Sequence, residues 1–207
     1  DDSVLAELSA IDVKLIEGTE NNVKITYLED LKKHSSSDEY MHYETRVGFG
    51  LDVHEFEPGH ELLVCGVKIP FNKALKGHSD ADVGLHALTD ALFGAMGAGD
   101  IGEHFPPSDP KWLNKSSAHF LSYANSFIKE ANGIIMNIDL TLVCEKPKIT
   151  KYKTKMRSKI SEILNIPEAR INIKATTTER LGFLGRGEGI CAQAIVSVNV
   201  KYHNKSF

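Results

Sequence analysis

The 207 residues have a hydrophobic fraction of 42%, a charged fraction of 25% and a formal net charge of −4. This composition is ordinary for a globular protein, and the lack of a basic excess disfavours nucleic acid or an anionic membrane surface as a partner. No apolar run approaches the roughly 18 residues that span a bilayer. The cysteines, Cys65, Cys144 and Cys191, form no CxxC pair, which disfavours a disulfide framework and predicts a reducing compartment.

The leading residues differ in pattern from the rest of the chain. Residues 1–31 contain short apolar stretches separated by a turn-forming cluster at residues 18–22. Residues 32–45 are polar, show no periodicity and are predicted to form a linker. Because residue 1 is Asp and no signal-peptide pattern follows it, we expect the chain to begin inside a longer polypeptide or to have been cut.

Regular strands and helices are predicted from residue 46 onward, where the sequence becomes periodic. In chain order they are a strand at 46–52, a turn at Pro58-Gly59, a strand at 61–69, helices at 81–97 and 116–131, a strand at 134–144, a helix at 151–164, and strands at 171–177 and 190–200. Ser79 or Asp80 is expected to cap the first helix, and Gly97 to end it. Strands that alternate with helices predict an α/β fold.

Two short motifs place side chains that could bind a metal on a strand and on a helix. A strand directs residues i and i+2 to one face, so Asp52 and His54 point the same way. At roughly 100° per residue, Asp82, His86 and Asp90 share one sector of the predicted helix. Asp52, His54 and His86 together supply three ligands and leave a fourth position open, which is typical of catalytic zinc. The alternative is a chance Asp-x-His pair and a surface His86 paired with its acidic neighbours.

Hydroxyl, acidic and glycine residues are concentrated at the end of the strand predicted at 171–177. The sequence there is KATTTER followed by LGFLGRGEG. The threonines supply hydroxyl and N–H donors, the glycines permit close approach to a ligand, and Glu179 is a hard oxygen ligand suited to Mg²⁺ or Mn²⁺. The alternative is a β-rich strand end followed by a solvated turn. Residues 100–102 and 105–110 indicate either an ordered, gating loop or a simple connection.

Three long motifs, in this order, relate the main domain to a known family. They are RVGFGLDVHEF, GHSDADVGLHALTDALFGAMGAGDIGEHFP and IKATTTERLGFLGRGEGI. Through them, residues 46–201 resemble 2-C-methyl-D-erythritol 2,4-cyclodiphosphate synthases nearly end to end. The leading residues resemble the last segment of 2-C-methyl-D-erythritol 4-phosphate cytidylyltransferases.

The two resemblances together imply the C-terminal part of a bifunctional fusion enzyme. In that arrangement residues 1–31 are the residual cytidylyltransferase segment, 32–45 the linker and 46–203 the synthase domain. The nucleotide-binding part of a cytidylyltransferase is absent from this sequence, so we expect the chain to lack that first activity.

The resemblance also implies a fold, an assembly and a reaction. The implied fold is an α/β structure of the α+β sandwich type, with a mixed sheet of four or five strands and helices packed on one face. The implied assembly is a cytoplasmic homotrimer of bacterial type, with active sites between subunits and sheets lining a central channel that holds an isoprenoid diphosphate in many relatives. The implied substrate is a cytidine diphosphate derivative, 4-diphosphocytidyl-2-C-methyl-D-erythritol 2-phosphate. Metal-assisted intramolecular phosphoryl transfer would convert it to the 2,4-cyclodiphosphate and CMP in the non-mevalonate isoprenoid pathway.

Motif matching gives individual residues implied roles. The implied zinc ligands are Asp52, His54 and His86, Glu179 is the implied ligand of a second divalent cation (Mg²⁺ or Mn²⁺), and Thr177 completes the implied catalytic set. Besides these residues, the implied substrate contacts are His78, Ser79, Asp100, Ile101, Gly102, Pro147, Lys148, Ala175, Thr176, Thr178, Phe183 and Arg186. Those from Pro147 to Thr177 match the cytidine diphosphate pocket, and Phe183 and Arg186 match residues near the channel. The chain departs from the family pattern at Pro107, where many members have Asp, and at residues 144–146, where small residues are common.

Two other functions fit the metal motif at this stage. A zinc-dependent phosphoester hydrolase would use the same three ligands to activate a water molecule. A non-catalytic, zinc-stabilised trimeric binding protein would close the metal's coordination with a fourth protein ligand.

Overall fold

The computed structural model describes residues 2–14, 16–19, 24–27, 30, 43–77, 79–113 and 115–201. The chain divides into two compact units, Asp1–Met41 and His42–Phe207. In the first unit, helix α1 spans Asp2–Leu8. Most of the predicted linker at 32–45 lies outside the described residues. No helix within these ranges combines the length and the apolar character needed to cross a membrane.

The second unit is built on a mixed five-stranded sheet, which agrees with the predicted α/β class. The strands are β1 (Tyr43–Pro58), β2 (Glu61–Val64), β3 (Val67–Pro70), β4 (Lys73–Leu75), β5 (Ile134–Val143), β6 (Ile171–Thr176) and β7 (Gly189–Lys201). The sheet order is β4-β1-β7-β5-β6, and β2 and β3 form a separate hairpin. Strands β5 and β6 are parallel, whereas the other neighbours in the sheet are antiparallel.

The helices of this unit are α2 (Val83–Met96), α3 (Ile101–His104), α4 (Ser117–Glu130), α5 (Lys153–Leu164) and α6 (Gly182–Gly185). The predicted helices at 81–97, 116–131 and 151–164 correspond to α2, α4 and α5. Short 3₁₀ segments lie at Pro110–Trp112, Ile149–Tyr152 and Glu168–Arg170. The sequence pattern does not predict β4, α3 or α6, because each has four residues or fewer and is too short to show periodicity.

The two faces of the sheet differ in what covers them. The helices pack on one face, and the core between them includes the fully buried Leu88, Phe93 and Leu140. The opposite face carries exposed apolar side chains of β1 and β7, which we call the apolar sheet face: Val47, Phe49, Leu51, Val53 and Ile195. A contiguous exposed apolar surface is typical of a site that another chain covers.

Helix α2 lies directly on the backbone of β1. A Cβ atom on Gly48 would lie 1.9 Å from the carbonyl oxygen of Ala91, and one on Gly50 would lie 2.0 Å from that of Ala87. Only glycine permits so close an approach. The contact extends along β1 in the direction of Asp52. The first turn of α2 therefore lies beside the strand positions that follow Gly50.

The strand predicted at 61–69 is a hairpin instead. Its connection is Cys65-Gly66, with φ angles of 52° and 72°. Two consecutive positive φ angles are the signature of the primed turns that join tight hairpins. The carboxylate of Asp82 supports this turn, because it accepts the N–H groups of Cys65 at 2.7 Å and Gly66 at 2.5 Å. The apolar run is therefore interrupted by a turn that a distant side chain stabilises.

Asp82 also caps α2, a role that the sequence pattern assigns to Ser79 or Asp80. Its Oδ1 atom accepts the N–H of Leu85 at 3.0 Å, and the residue is fully buried. The carboxylate of Asp90 is likewise occupied, since it accepts the N–H of Ile101 at 2.8 Å. Of the three polar residues predicted on one side of this helix, these two support the fold and only His86 remains a candidate metal ligand.

Replacing Asp82 by Ala should lower the free energy of unfolding by about 3 kcal/mol or more, because three backbone N–H groups lose their acceptor. Denaturant-induced unfolding measures the effect. The Asp109→Ala variant, which removes a surface carboxylate from a 3₁₀ segment, is the matched control. Equal unfolding midpoints for the two variants would contradict the assigned role.

Candidate active site

Three potential ligand atoms meet where β1 contacts the first turn of α2. The Oδ2 atom of Asp52 lies 3.0 Å from Nε2 of His54 and 3.1 Å from Nδ1 of His86. The two histidine nitrogens are 3.2 Å apart. Ligand atoms bound to a tetrahedral zinc ion at about 2.0–2.1 Å are separated by about 3.3 Å. The triangle therefore has the dimensions of a zinc site, and it joins the three residues predicted from the sequence.

The chemistry of this donor set also fits a cation. If both imidazoles donate a proton to the Asp52 carboxylate, their two N–H groups face each other at 3.2 Å. A cation at the centre removes this conflict, because all three atoms then offer lone pairs. Within the described residues this is the one cluster of three His, Cys, Asp or Glu side chains arranged to hold a metal.

A backbone carbonyl sets the orientation of His54. The Nδ1 atom of His54 lies 2.7 Å from the carbonyl oxygen of Lys76, which can only accept a hydrogen bond. Nδ1 therefore carries the proton, and the lone pair of Nε2 points into the triangle. Such outer partners of a metal-binding histidine fix its tautomer and raise its basicity.

His86 is oriented by a chain of two further residues, Ser117 and Asp80. Nε2 of His86 lies 2.7 Å from the hydroxyl oxygen of Ser117, and that hydroxyl makes a short hydrogen bond to the carboxylate of Asp80. Because a carboxylate only accepts, the Ser117 hydroxyl donates to Asp80 and must accept from Nε2–H of His86. The lone pair of Nδ1 is thus directed toward Asp52 and His54. Ser79, whose hydroxyl is 3.1 Å from Nε2, provides a second, longer contact.

Replacing Ser117 by Ala should weaken zinc binding by about 10- to 100-fold, the usual effect of removing an outer partner of a metal ligand. Competition with a chelator for zinc, starting from the metal-free protein, measures this affinity. Ser116→Ala is the control, since Ser116 caps the same helix and accepts the N–H of Ala118. Equal zinc affinities in the two variants would show that the hydroxyl does not orient His86.

The electrostatics of the cluster favour a charged ligand at Asp52. Burial acts to raise the pKa of Asp52, but the hydrogen bonds that His54 and His86 donate when they are protonated outweigh it and hold the pKa well below its usual range. For His54, burial acts to lower the pKa, and the Asp52 carboxylate more than compensates, so the pKa lies above its ordinary value. Metal binding must release the proton that His54 carries at acidic pH. Zinc affinity is therefore expected to rise as the pH is raised through this pKa.

A cavity of about 480 Å³ opens beside the three ligand atoms. Its polar side includes the ligands and Ser79, and its apolar side is lined by Ile101, Phe105, Pro107, Trp112, Leu113 and Phe120. Of the predicted substrate contacts, Ser79, Ile101 and Gly102 line this cavity. Asp100 caps α3 through Glu103 N–H, and His78 lies outside the described residues. The aromatic wall is not predicted from the sequence, because its members lie on segments that only the fold brings together.

A second, smaller cavity of about 80 Å³ contains the predicted nucleotide-pocket residues. It lies at the ends of β5 and β6 and is lined by Cys144, Pro147, Lys148, Ile149, Thr150, Ala175, Thr176 and Thr177. Pro107 and Cys144, at two of the positions that depart from the family pattern, each line one of the cavities. The structure therefore gathers the two predicted residue groups into two separate pockets.

Thr178, Glu179 and Arg180 form a tight turn directly after the second cavity. The N–H of Leu181 donates to the carbonyl of Thr178 at 3.0 Å, and the two central residues have φ angles of 53° and 64°. A positive φ costs a residue with a side chain roughly 1–2 kcal/mol. The hydroxyl of Thr177 donates to Oε1 of Glu179 at 3.2 Å. Strained backbone of this kind is concentrated at functional sites, and here it carries the candidate ligand of the second cation.

The pairing of the strands shows how far the strand of Asp52 and His54 lies from the strand that leads to the Glu179 turn. Four paired residues form one row across the sheet: Val53 on β1, Cys191 on β7, Val143 on β5 and Thr176 on β6. Three strand spacings of about 4.8 Å place Thr176 about 14 Å from Val53. Two cations that act on the same phosphate group lie only about 3.5–4 Å apart. Within one chain, the strand that carries Asp52 and His54 and the strand that leads to the Glu179 turn are thus farther apart than two such cations.

Phe183 and Arg186 lie outside the linings of both cavities. Phe183 is on α6 and is exposed, and Arg186 follows this helix. The guanidinium of Arg186 donates to Glu188 at 2.6 Å. The two residues thus belong to the surface between the Glu179 turn and the start of β7.

Comparison with known proteins gives the relationship of the chain. The model of the YgbB family matches residues 45–199, a range that contains every candidate site residue. The chain belongs to the YgbB family. A relative from Bartonella bacilliformis, named Bifunctional enzyme IspD/IspF, is 53% identical over 201 residues, which cover 96% of this chain and 51% of the relative. The chain spans about half the length of the curated relatives it matches.

Solved structures of this family have the same fold. The bifunctional IspDF from Campylobacter jejuni superimposes with a TM-score of 0.74 at 40% identity, covering 97% of this chain and 54% of that one. IspF from Plasmodium falciparum, solved as a CDP complex, gives a TM-score of 0.68 at 34% identity, covering 78% of this chain and 99% of that one. The YgbB-family unit of our chain thus corresponds to essentially the whole of a protein that binds CDP.

Proposed function

We propose that this chain converts 4-diphosphocytidyl-2-C-methyl-D-erythritol 2-phosphate to 2-C-methyl-D-erythritol 2,4-cyclodiphosphate and CMP, in the non-mevalonate isoprenoid pathway. The observation that carries the proposal is the triangle of Asp52, His54 and His86 at the mouth of a cavity that is part polar and part apolar. The CDP complex of a family member that this chain covers almost completely supports a cytidine diphosphate substrate.

The two pockets and the Glu179 turn are proposed to bind different parts of the substrate and its cations. Asp52, His54 and His86 would hold zinc, and Glu179 would hold Mg²⁺ or Mn²⁺, because Mg²⁺ needs only one or two protein carboxylates at a phosphate site. These cations, when bound, supply positive charge that offsets the charge of the diphosphate. Ser79, Ile101 and Gly102, with His78 and Asp100, would contact the methylerythritol phosphate part of the substrate. The second cavity, with Pro147, Lys148, Ala175, Thr176 and Thr177 in its lining, would take the cytidine diphosphate.

The reaction needs positioning more than proton transfer. An oxygen of the 2-phosphate forms a bond to the β-phosphorus, the bond from that phosphorus to the bridging oxygen breaks, and CMP leaves with the electron pair. The attacking oxygen is already ionised, so no side chain has to act as a general base. Both reacting groups belong to one molecule, and holding its two ends in two pockets brings them together. Phosphoryl transfer of this kind depends mainly on such positioning and on neutralised charge.

The active form is proposed to be a homotrimer with sites between neighbouring subunits. The separation of about 14 Å between the strand positions Val53 and Thr176 of one chain supports this, because in such an assembly the Glu179 turn of one copy would meet the metal triangle of another. The apolar sheet face provides a surface for such an assembly and would line its central channel. Phe183 and Arg186 would lie at this channel, where an isoprenoid diphosphate is the proposed ligand.

The longer protein is proposed to be bifunctional and cytoplasmic. Residues 1–31 are assigned to the end of a cytidylyltransferase, 32–45 to a linker and 46–203 to the synthase domain. Matches that cover 96% of this chain but 51% of a bifunctional relative support the assignment.

The decisive experiment is incubation of the zinc-loaded chain with the cytidine diphospho substrate in ¹⁸O-labelled water, with and without a chelator. We expect release of CMP, a cyclic product free of ¹⁸O, and loss of turnover in the chelator. Product that contains ¹⁸O would instead identify a zinc-dependent phosphoester hydrolase. Zinc binding without any turnover would identify a zinc-stabilised binding protein.

A further inference from the structure

The side chain of Glu145 spans the gap between the end of β5 and the turn that carries Glu179. Its Oε1 atom accepts two backbone N–H groups, that of Thr178 at 3.2 Å and that of Arg180 at 3.1 Å. These two amides flank Glu179 on both sides.

The turn needs such support because its sequence does not favour its shape. Its two central residues, Glu179 and Arg180, both have positive φ angles, a combination for which Asn-Gly or Gly-Gly is preferred. Local hydrogen bonds join Thr178 to Leu181 across the turn and Thr177 to Glu179 before it, but none of these reaches the N–H of Arg180. Glu145 adds a contact from outside the turn, because its oxygen accepts the N–H groups on either side of Glu179.

We propose that Glu145 is a positioning residue that holds the Glu179 carboxylate in place for the cation bound with the cytidine diphosphate. The inference rests on the proposed function for the role of Glu179 and goes beyond it in assigning the support of that ligand. Glu145 acts through the backbone, since the oxygen that faces the turn is occupied by two N–H donors. The competing role, in which Glu145 binds the cation directly, depends on its charge rather than on its acceptor oxygen.

Two substitutions separate these roles. Glu145→Gln keeps an oxygen that can accept both N–H groups but removes the charge, whereas Glu145→Ala removes both. Glu130→Ala is the matched control, because it removes an exposed carboxylate at the end of α4. For each protein two quantities are measured: amide hydrogen exchange of Thr178 and Arg180 without ligands, and the affinity for CDP as a function of Mn²⁺ concentration. Zinc content is recorded as a check on the metal triangle.

In Glu145→Ala we expect faster exchange of the Thr178 and Arg180 amides and a Mn²⁺-dependent affinity for CDP that is lower by about 10- to 100-fold. Glu145→Gln and Glu130→Ala should behave like the unaltered protein, and all should retain zinc. The proposal is overturned if Glu145→Ala matches Glu130→Ala in either measurement. It is also overturned if Glu145→Gln is as defective as Glu145→Ala, since charge would then be the property that matters.

The two measurements also separate this inference from the proposed function. If the unaltered protein binds CDP without any dependence on Mn²⁺, the cation role of Glu179 fails, and with it the proposed function of the turn. The exchange rates still decide whether Glu145 holds the turn, because they are measured without metal or nucleotide.

Discussion

Under the proposed function, replacing His86 by Ala should abolish zinc binding and reduce CMP release by more than 100-fold, beyond the roughly 10- to 100-fold that loss of an outer partner produces. His86 supplies one of only three protein atoms in the triangle, and two ligands bind zinc weakly. Metal analysis of the purified variant and its turnover of the cytidine diphospho substrate are the measurements.

His60→Ala is the control for this variant, because it removes an exposed imidazole in the turn after β1. It should keep full zinc content and full turnover. A His86→Ala protein that retains both near the level of this control would refute the metal assignment. Thermal unfolding of both proteins in their metal-free forms separates loss of the ligand from loss of the fold.

The second large effect is expected from Gly50→Ala, which should lower the free energy of unfolding by about 3 kcal/mol or more. The new Cβ would lie 2.0 Å from the backbone oxygen of Ala87, so α2 has to move away from β1. The same movement separates His86 from Asp52 and His54. We therefore expect lost zinc binding together with lost stability, measured by denaturant unfolding and metal analysis.

Gly18→Ala is the matched control, since a Cβ at Gly18 meets no atom within 4 Å among the residues that the structure describes. It should change neither stability nor zinc content. If Gly50→Ala unfolds at the same denaturant concentration as Gly18→Ala, the close packing of α2 on β1 is not what holds the metal triangle together.

The candidate metal ligands could be predicted from the sequence because each lies on an element that follows a local rule. Asp52 and His54 share a strand face at i and i+2, and helix α2 was recognisable from its length and periodicity. That His86 meets them depends on the contact of Gly48 and Gly50 with α2, which no local rule contains. The prediction that His86 meets Asp52 and His54 therefore depended on the resemblance to a known family.

The supports of the site were beyond sequence reasoning for a physical reason. Ser117 orients His86 from 31 positions away, and Glu145 bonds Thr178 from 33 positions away. Positive φ angles at Cys65, Glu179 and Arg180 contradict the preferences of those residue types, so the turns they form follow from tertiary hydrogen bonds. The short α3 and α6 carry no periodic signal of their own.

The separation of Val53 and Thr176 across four strands has a consequence for how the catalytic activity could be lost and recovered. If each active site is formed by residues of two subunits, dilution would inactivate the protein by dissociating it. The separated chains would remain folded and zinc-loaded but would have no complete site. Conversely, an inactive His86 variant and an inactive Glu179 variant would regain turnover when mixed. Some interfaces between them would combine the intact metal triangle of one chain with the intact Glu179 turn of the other. A chain that is inactive by itself could then still belong to an active assembly.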